Sequence, residues 1–321
     1  MRQTKLVSVL LALSLPLLAS CAMDVANAGA PAEADPPPGV TDISASPGGG
    51  ASMTGKPEAT GATDVGESGD AQTGGDASGG DLAKAAQNPI ANMISVPIQN
   101  NFNFGVGVDD DMQYLLNVQP VIPTKLNEDW NLINRFIVPV LYQPSMAPGM
   151  DDEFGLGDIQ YQGYFSPSKS GELTWGVGPV LQFPTHTDDS LGSDRWGAGV
   201  GVVALKSKGP WLYGALVNNV WGVAGPGDEL NQMLVNPFVN YNLPNGWYLT
   251  TAPNIIANWS APSGDRWTVP IGGGIGKVTK IGKQPVNIKL AAYYNLEHPR
   301  NAPDWQLQFQ VQFLFPKGGK K

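Results

Sequence analysis

The sequence predicts an all-β fold, a single-chain antiparallel transmembrane β-barrel of about 12 strands behind a disordered N-terminal tether, and three observations predict it. The first is the final strand, where Trp305, Leu307, Phe309, Val311, Phe313 and Phe315 alternate with Gln306, Gln308, Gln310 and Gln312. Side chains on a strand alternate faces, so one side is an apolar wall and the other a ladder of amides. Apolar outside and polar inside is what a barrel in lipid requires. The second is punctuation: beyond residue 91, strand-like segments recur between clusters of Gly, Pro, Asn and Asp. The third is that all nine tryptophans fall at strand ends, where a barrel places its aromatic girdles. A soluble sandwich would hold them mid-strand.

Composition agrees. The 321 residues carry 40 Gly, 28 Pro and only 15% charged side chains, too many turn formers for a helical protein. After the first twenty residues no apolar run reaches the ~18 that a spanning helix needs.

Residues 1–20 read as a signal peptide, with Arg2 and Lys5 ahead of the apolar stretch Leu6 to Leu18. Cys21, the only cysteine, follows Leu18-Ala19-Ser20, which resembles a lipobox, so Cys21 is the candidate lipidation site. An ordinary signal cut after Ala22 or Ala28 is the alternative, and one cysteine excludes an internal disulfide. Residues 21–85 read as a disordered acidic linker rich in Pro and Gly, with ten carboxylates against Lys56 and Lys84. Such a segment cannot bury enough apolar surface to offset its ordering entropy. Most of the formal charge of −9 lies there.

Residues 86–321 form the barrel. The strands are expected at about 93–104, 112–123, 130–142, 156–166, 172–184, 195–205, 211–222, 231–242, 247–259, 266–277, 285–296 and 305–315. Their connections alternate between compact, mostly lysine-bearing turns and mostly longer acidic loops, which suits short periplasmic turns and long extracellular loops. An even strand count puts both ends of the barrel on the short-turn rim. Inward loops, or residues 82–92 folded as a short plug, are the candidates for closing the lumen.

Alternation assigns the faces. Ile94, Val96, Ile98, Leu173, Trp175, Val177, Leu181, Phe183, Val286, Ile288, Leu290, Tyr294 and the odd residues of the last strand point outward. The lumen is lined by Gln99, Asn117, Gln119, Arg135, Gln160, Gln162, Gln182, Asn236, Asn240, Asn254, Asn287, Lys289, Asn295, Gln306, Gln308, Gln310 and Gln312. That lining is rich in amides and poor in charge. One feature opposes the fold: proline recurs mid-strand at 120, 139, 179, 237, 253 and 270, although it removes a ladder hydrogen bond. Bulges or a kinked belt would accommodate it.

Several stretches, among them Ile94-Ser95-Val96-Pro97, Leu116-Asn117-Val118-Gln119-Pro120-Val121-Ile122-Pro123, Phe154-Gly155-Leu156-Gly157-Asp158, Asn240-Tyr241-Asn242-Leu243-Pro244-Asn245-Gly246-Trp247 and Gln312-Phe313-Leu314-Phe315-Pro316-Lys317, resemble bacterial outer-membrane barrels of the meta-pathway phenol-degradation family, some of which carry a "neuromedin U" label. The resemblance covers residues 86–321. It implies outer-membrane localisation and passage of small organic or aromatic compounds, and supplies no catalytic residues. The acidic tether and the lipobox-like cysteine depart from it.

Catalysis is not expected. His186 and His298 sit in loops among small polar residues and read as solvated, and no Ser-His spacing suits a barrel strand. No cofactor is expected. Asp151, Asp152 and Glu153 are candidates for calcium or lipopolysaccharide bridging, but adjacent loop acids are more simply solvated, and no metal site is assigned. Gly197-Ala198-Gly199-Val200-Gly201 lies inside a strand, where glycine marks a bend or close approach rather than a phosphate loop. The expected partners are outer-membrane lipid and lipopolysaccharide, the barrel assembly machinery and a small organic solute, with no nucleic acid. About 12 strands imply a narrow lumen. The reading is a diffusion channel or uptake barrel for small neutral or aromatic solutes, with a structural or adhesive surface barrel as the rival.

Overall fold

The structure, a computed structural model, describes residues 79–169 and 171–316; the signal segment, Cys21 and most of the tether lie outside the described residues. A helix α1 (Gly79–Gln87) precedes fifteen strands: β1 (Ile94–Val106), β2 (Asp111–Val118), β3 (Val121–Lys125), β4 (Trp130–Gln143), β5 (Glu153–Leu156), β6 (Ile159–Pro167), β7 (Leu173–Phe183), β8 (Trp196–Lys208), β9 (Trp211–Ala224), β10 (Asn231–Asn242), β11 (Trp247–Thr251), β12 (Ile255–Asn258), β13 (Trp267–Ile281), β14 (Gln284–Glu297) and β15 (Trp305–Phe315). Three pairs, β2 with β3, β5 with β6 and β11 with β12, are single staves broken in the middle. The twelve staves close into one antiparallel barrel, as the sequence predicts.

Closure is made by the strand with the glutamine ladder. β15 pairs with β1 from Ile94 opposite Phe315 to Phe104 opposite Trp305, and with β14 on its other side. No stave is left with an open edge, so the ladder can satisfy backbone groups where lipid offers no hydrogen bonds. The outward parity carries exposed apolar side chains all round, among them Val177, Val202, Val217, Leu249, Ile271, Ile275 and Leu290. Eight of the nine tryptophans are exposed, all but Trp267. They pair at the two rims: Trp130 with Trp175 at 5.9 Å and Trp211 with Tyr241 at 4.7 Å on the short-turn side, Trp259 with Trp267 at 5.5 Å on the other. Lys277 lies with its Nζ 4.6 Å above the Trp247 ring, a cation held at the level where hydrocarbon meets headgroup. These features define two interface girdles around an apolar band.

The mid-strand prolines are accommodated by gaps in the ladder. Pro120 and Pro253 stand in the breaks between β2 and β3 and between β11 and β12. Pro139 falls where β4 changes partner from β6 to β5, and Pro179 where β7 has no register partner on β6. Pro237 occupies the stretch of β10 between its pairings with β12 and β11, and Pro270 sits at a register shift against β14. Each missing N–H therefore faces a place where no acceptor waits. The carbonyls beside the breaks remain used: Pro97 O accepts from Gln119 N at 2.9 Å, Pro120 O from Phe136 N at 3.1 Å and Pro139 O from Gly157 N at 3.0 Å.

The acidic connections are mostly the longer ones, as expected, with one exception. The first acidic connection, residues 107–110, is as tight as the turns of the opposite rim, because Gly107 and Asp110 take positive φ values of 80° and 55°. The other acidic connections are long.

Candidate functional site

Inward side chains are layered along the barrel axis. At the short-turn end the lumen is filled by Ile90, Val121, Ile133, Tyr164, Val203, Leu205, Leu212, Leu216 and Phe238. Beside them Leu82, Ala83 and Ala86 of α1 pack with Met93, Tyr248, Val278 and Leu314. The two tyrosines fit because glycine faces them: a Cβ on Gly276 would stand 2.1 Å from Tyr248 Cζ, and one on Gly201 2.9 Å from Tyr164 Oη. α1 is fastened to the rim by its last residue, Gln87, whose amide donates to Asn242 Oδ1 at 2.8 Å. The expected plug over 82–92 is thus a helix and the turn behind it, inserted in the floor. It also explains the last strand's fifth even position: Leu314 is apolar because it meets the plug, not the lumen.

At the opposite end a second apolar layer forms from Leu115, Leu141 and Leu191, with Val180, Val220 and Leu230 nearby. Leu191 arrives on the connection between β7 and β8, which folds inward through a 3-10 turn (Asp189–Leu191) capped by Asp188. One carboxylate holds that connection. Asp158 accepts from the backbone N–H groups of Thr185, His186 and Ser193 at 3.1, 3.3 and 2.7 Å. The Gln182 amide donates to it at 3.3 Å, and His186 Nδ1 lies at 2.8 Å. Asp158 is 2% exposed. His186, expected to be solvated, is instead buried at its side chain between Asp158, from the break between β5 and β6, and Asp194, from the far end of its own connection; the first partner is one that local composition does not reveal.

Between the two apolar layers lies a chamber with a volume of about 120 Å³. Of the side chains assigned to the lumen from sequence, Gln99, Asn117, Gln119, Arg135, Gln160, Gln162, Asn236, Asn254, Lys289 and Gln308 line it. Asp158, Asn218, Gln232, Ile137, Pro139, Leu216, Val220, Leu234 and Ala252 complete the wall. The remaining assigned residues serve the barrel elsewhere. Gln182 bonds Asp158; Asn287 accepts from Tyr248 Oη at 2.8 Å and donates to Gln312 Oε1 at 3.0 Å; Gln306 donates to Asn103 Oδ1 at 2.8 Å; Asn295 donates to Pro303 O at 2.6 Å. Asn240 and Gln310 are buried but do not reach the chamber.

The inventory from sequence is thus short by several residues. Asn101, Asn103 and Gln113 also face inward and bond across staves, Gln308 to Asn101 at 3.2 Å and Asn103 to Gln113 at 2.6 Å. The period-two pattern that marks Gln99 and Asn117 extends to them. Asn218 is harder to see, because Asn218-Asn219 gives both parities an amide. Asp158 lies at a break in its stave, where alternation carries no information.

The chamber is unevenly satisfied. Among the described residues, Asn117 Nδ2 and Oδ1, Asn218 Nδ2 and Gln308 Oε1 are buried without a hydrogen-bond partner, in residues at most 4% exposed. Arg135 donates to Gln119, while neither Arg135 nor Lys289 has a carboxylate partner among the described residues. A lumen expected to be poor in charge is so in number, but its charges converge on one space. The acids proposed for cation bridging lie in the long connection between β4 and β5, away from the chamber, where Asp152 accepts from Tyr142 Oη at 2.7 Å and Ser145 N at 3.0 Å and Asp151 is exposed. Among the described residues, the ligand-type side chains within 4.8 Å of one another are His186, Asp189 and Asp194, not Asp151, Asp152 and Glu153.

A closed twelve-stave barrel with two aromatic girdles, an apolar exterior and a polar interior belongs to the class of bacterial outer-membrane β-barrels. No family model matches the chain, and no curated protein does. Among solved structures it is similar to the COG4313 outer membrane channel from Pseudomonas putida F1, with 15% identity and a TM-score of 0.55 over 70% of this chain and 96% of that one. It is also similar, more distantly, to the P. putida toluene transporter TodX, with 10% identity and a TM-score of 0.39 over 76% of this chain and 94% of that one. The first likeness shows the fold.

Proposed function

We propose that this chain is an outer-membrane channel that takes small, predominantly apolar or aromatic organic solutes through the central chamber. The observation that carries the reading is the chamber itself, an amphipathic space held between two apolar layers of the barrel interior. Its volume, about 120 Å³, is near that of an engineered apolar cavity of ~150 Å³ that takes up benzene. Ile137, Leu216, Val220 and Leu234 offer a face to a hydrocarbon body, and the orphaned amides offer hydrogen bonds to a polar end. The COG4313 outer membrane channel, similar at a TM-score of 0.55, supports the same reading by kind. Passage requires one or both apolar layers to move, and α1 and the β7–β8 connection are the elements small enough to do so.

The test is flux of benzyl alcohol into liposomes carrying the purified mature chain. Saturable entry above that of empty liposomes is expected, and no entry by the wild-type chain or by one with α1 displaced would end the proposal. The two filled ends favour a second reading, a sealed barrel that displays its loops. Loop exchanges that change surface binding while flux stays absent would select it. For export, lipidation of Cys21 is the proposed route, read by mass spectrometry of the mature N-terminus. Phe315, the aromatic that ends β15, is the proposed signal to the barrel assembly machinery.

A further inference from the structure

We propose that the chamber is a recognition site for an organic monoanion, with Arg135 and Lys289 holding the anionic head and the apolar wall its body. The inference rests on the channel reading and adds a solute charge to it. The chain is acidic overall, with a formal charge of −9, yet the chamber concentrates the opposite sign. Arg135 reaches it from β4 and Lys289 from β14, on widely separated staves. Asp158 is the one carboxylate in the wall, and its oxygens are taken by three backbone N–H groups, Gln182 and His186. It forms no ion pair with either cation, and two positive charges against one negative leave the wall positive. Lys289 is half-buried, and its ammonium has no carboxylate and no hydrogen-bond partner among the described residues, so a bound anion would supply the counter-charge that the wall does not.

The neutral donors point the same way. Asn117 Nδ2 and Asn218 Nδ2 are both buried and unbonded, and both line the space the cations line. Two cations and two free amide donors suit oxygens that carry charge and no proton, as a carboxylate does. A neutral alcohol would satisfy fewer of them and leave the cations unpaired. The chamber is too small for a multiply charged headgroup together with an apolar body, and Leu216, Val220 and Leu234 require such a body. A small aromatic or short aliphatic carboxylate answers the two cations, the two free donors and the apolar wall, and leaves the acceptors Asn117 Oδ1 and Gln308 Oε1 without a donor from the solute. Low-dielectric walls focus the field of the two cations, so the same arrangement also repels an ammonium of equal size.

The experiment compares benzoate, benzyl alcohol and benzylammonium, similar in shape and different in charge, in liposomes carrying the purified mature chain. Entry of benzoate should exceed that of benzylammonium by about tenfold or more, the factor that one charge-assisted hydrogen bond carries. In the double variant Arg135→Gln, Lys289→Gln the ratio should fall to near one, and Lys289→Gln alone, where the barrel is disturbed least, should lower it by about threefold. Folding is checked by heat-modifiable mobility on gels. An unchanged ratio in folded Lys289→Gln, or a wild type that admits benzylammonium as readily as benzoate, overturns the proposal. Should none of the three probes cross, the channel reading fails by itself. Binding of benzoate to the detergent-solubilised chain then decides the site: saturable binding lost in Lys289→Gln sustains it, and no saturable binding refutes it.

Discussion

Asp158 shows how much one side chain arranges. It stands at the break between β5 and β6, where its oxygens are free of any ladder, and gathers donors from residues 182 to 193. Replacement by alanine would leave several buried donors unpaired at once, a loss on the order of 2–4 kcal/mol. Asp158→Ala should therefore lower the urea midpoint of the barrel and expose residues 184–195 to protease; a midpoint and cleavage pattern like wild type would contradict the role. A second carboxylate in the same connection makes that segment sensitive to acid. Asp188 accepts from Ser190 N at 2.9 Å and Ser190 Oγ at 2.8 Å, and these bonds, the backbone one foremost, hold its carboxyl below the ordinary aspartate value. A group whose folded value is depressed stabilises the fold above the unfolded value and loses that contribution as pH falls through the folded one. The cap should be intact at neutral pH, begin to weaken near pH ~3.9 and be lost only below it. Amide exchange at Ser190 followed from pH 6 downward should rise beyond its intrinsic trend in that acid window, and should lose this feature in Asp188→Ala.

Among the elements, α1 is the one whose presence depends wholly on its neighbours. It has nine residues, below the ~12 that make even a good isolated helix marginal, so it is a helix because Leu82, Ala83 and Ala86 are buried against β13, β15 and the rim. Ala83 is 1% exposed, and a carboxylate there would be buried without a partner. Ala83→Glu should release α1 while leaving the staves paired, and single-channel conductance in planar bilayers should rise several-fold over wild type. Unchanged conductance from a folded variant would place the barrier elsewhere, at the Leu191 layer. The broken staves are the other element-level lesson. Six mid-strand prolines argue against a closed barrel only if every position in a stave must be paired, and here each stands in a gap or register shift of the ladder. Sequence shows the prolines but not the gaps, because a gap is a relation between two strands far apart in the chain.

At the scale of the whole molecule, the barrel was legible because period two survives along long stretches of its staves, β15 above all, and the girdle tryptophans punctuate the ends. The layering of its interior was not, since Ile133, Tyr164 and Leu216 lie on the same inward parity as Arg135, Gln162 and Asn218, and only closure shows which of them meet. The glutamine ladder of β15 illustrates the difference. Its four amides look equivalent in sequence, but Gln306 bonds Asn103, Gln312 accepts from Asn287, Gln310 is buried away from the chamber, and Gln308 alone of the four borders it. From sequence alone the two central amides, Gln308 and Gln310, would serve equally to obstruct the lumen. The structure separates them: an indole at 308 enters a space of about 120 Å³ that it would largely fill, whereas one at 310 must first displace buried neighbours. Gln308→Trp should cut benzyl alcohol entry by about tenfold or more at near wild-type stability, and Gln310→Trp should instead lower stability by about 1–3 kcal/mol, the ordinary cost of overpacking. Flux and urea midpoint measured on both variants check this together. Equal flux with equal stability at the two positions would mean that solute does not pass through the chamber.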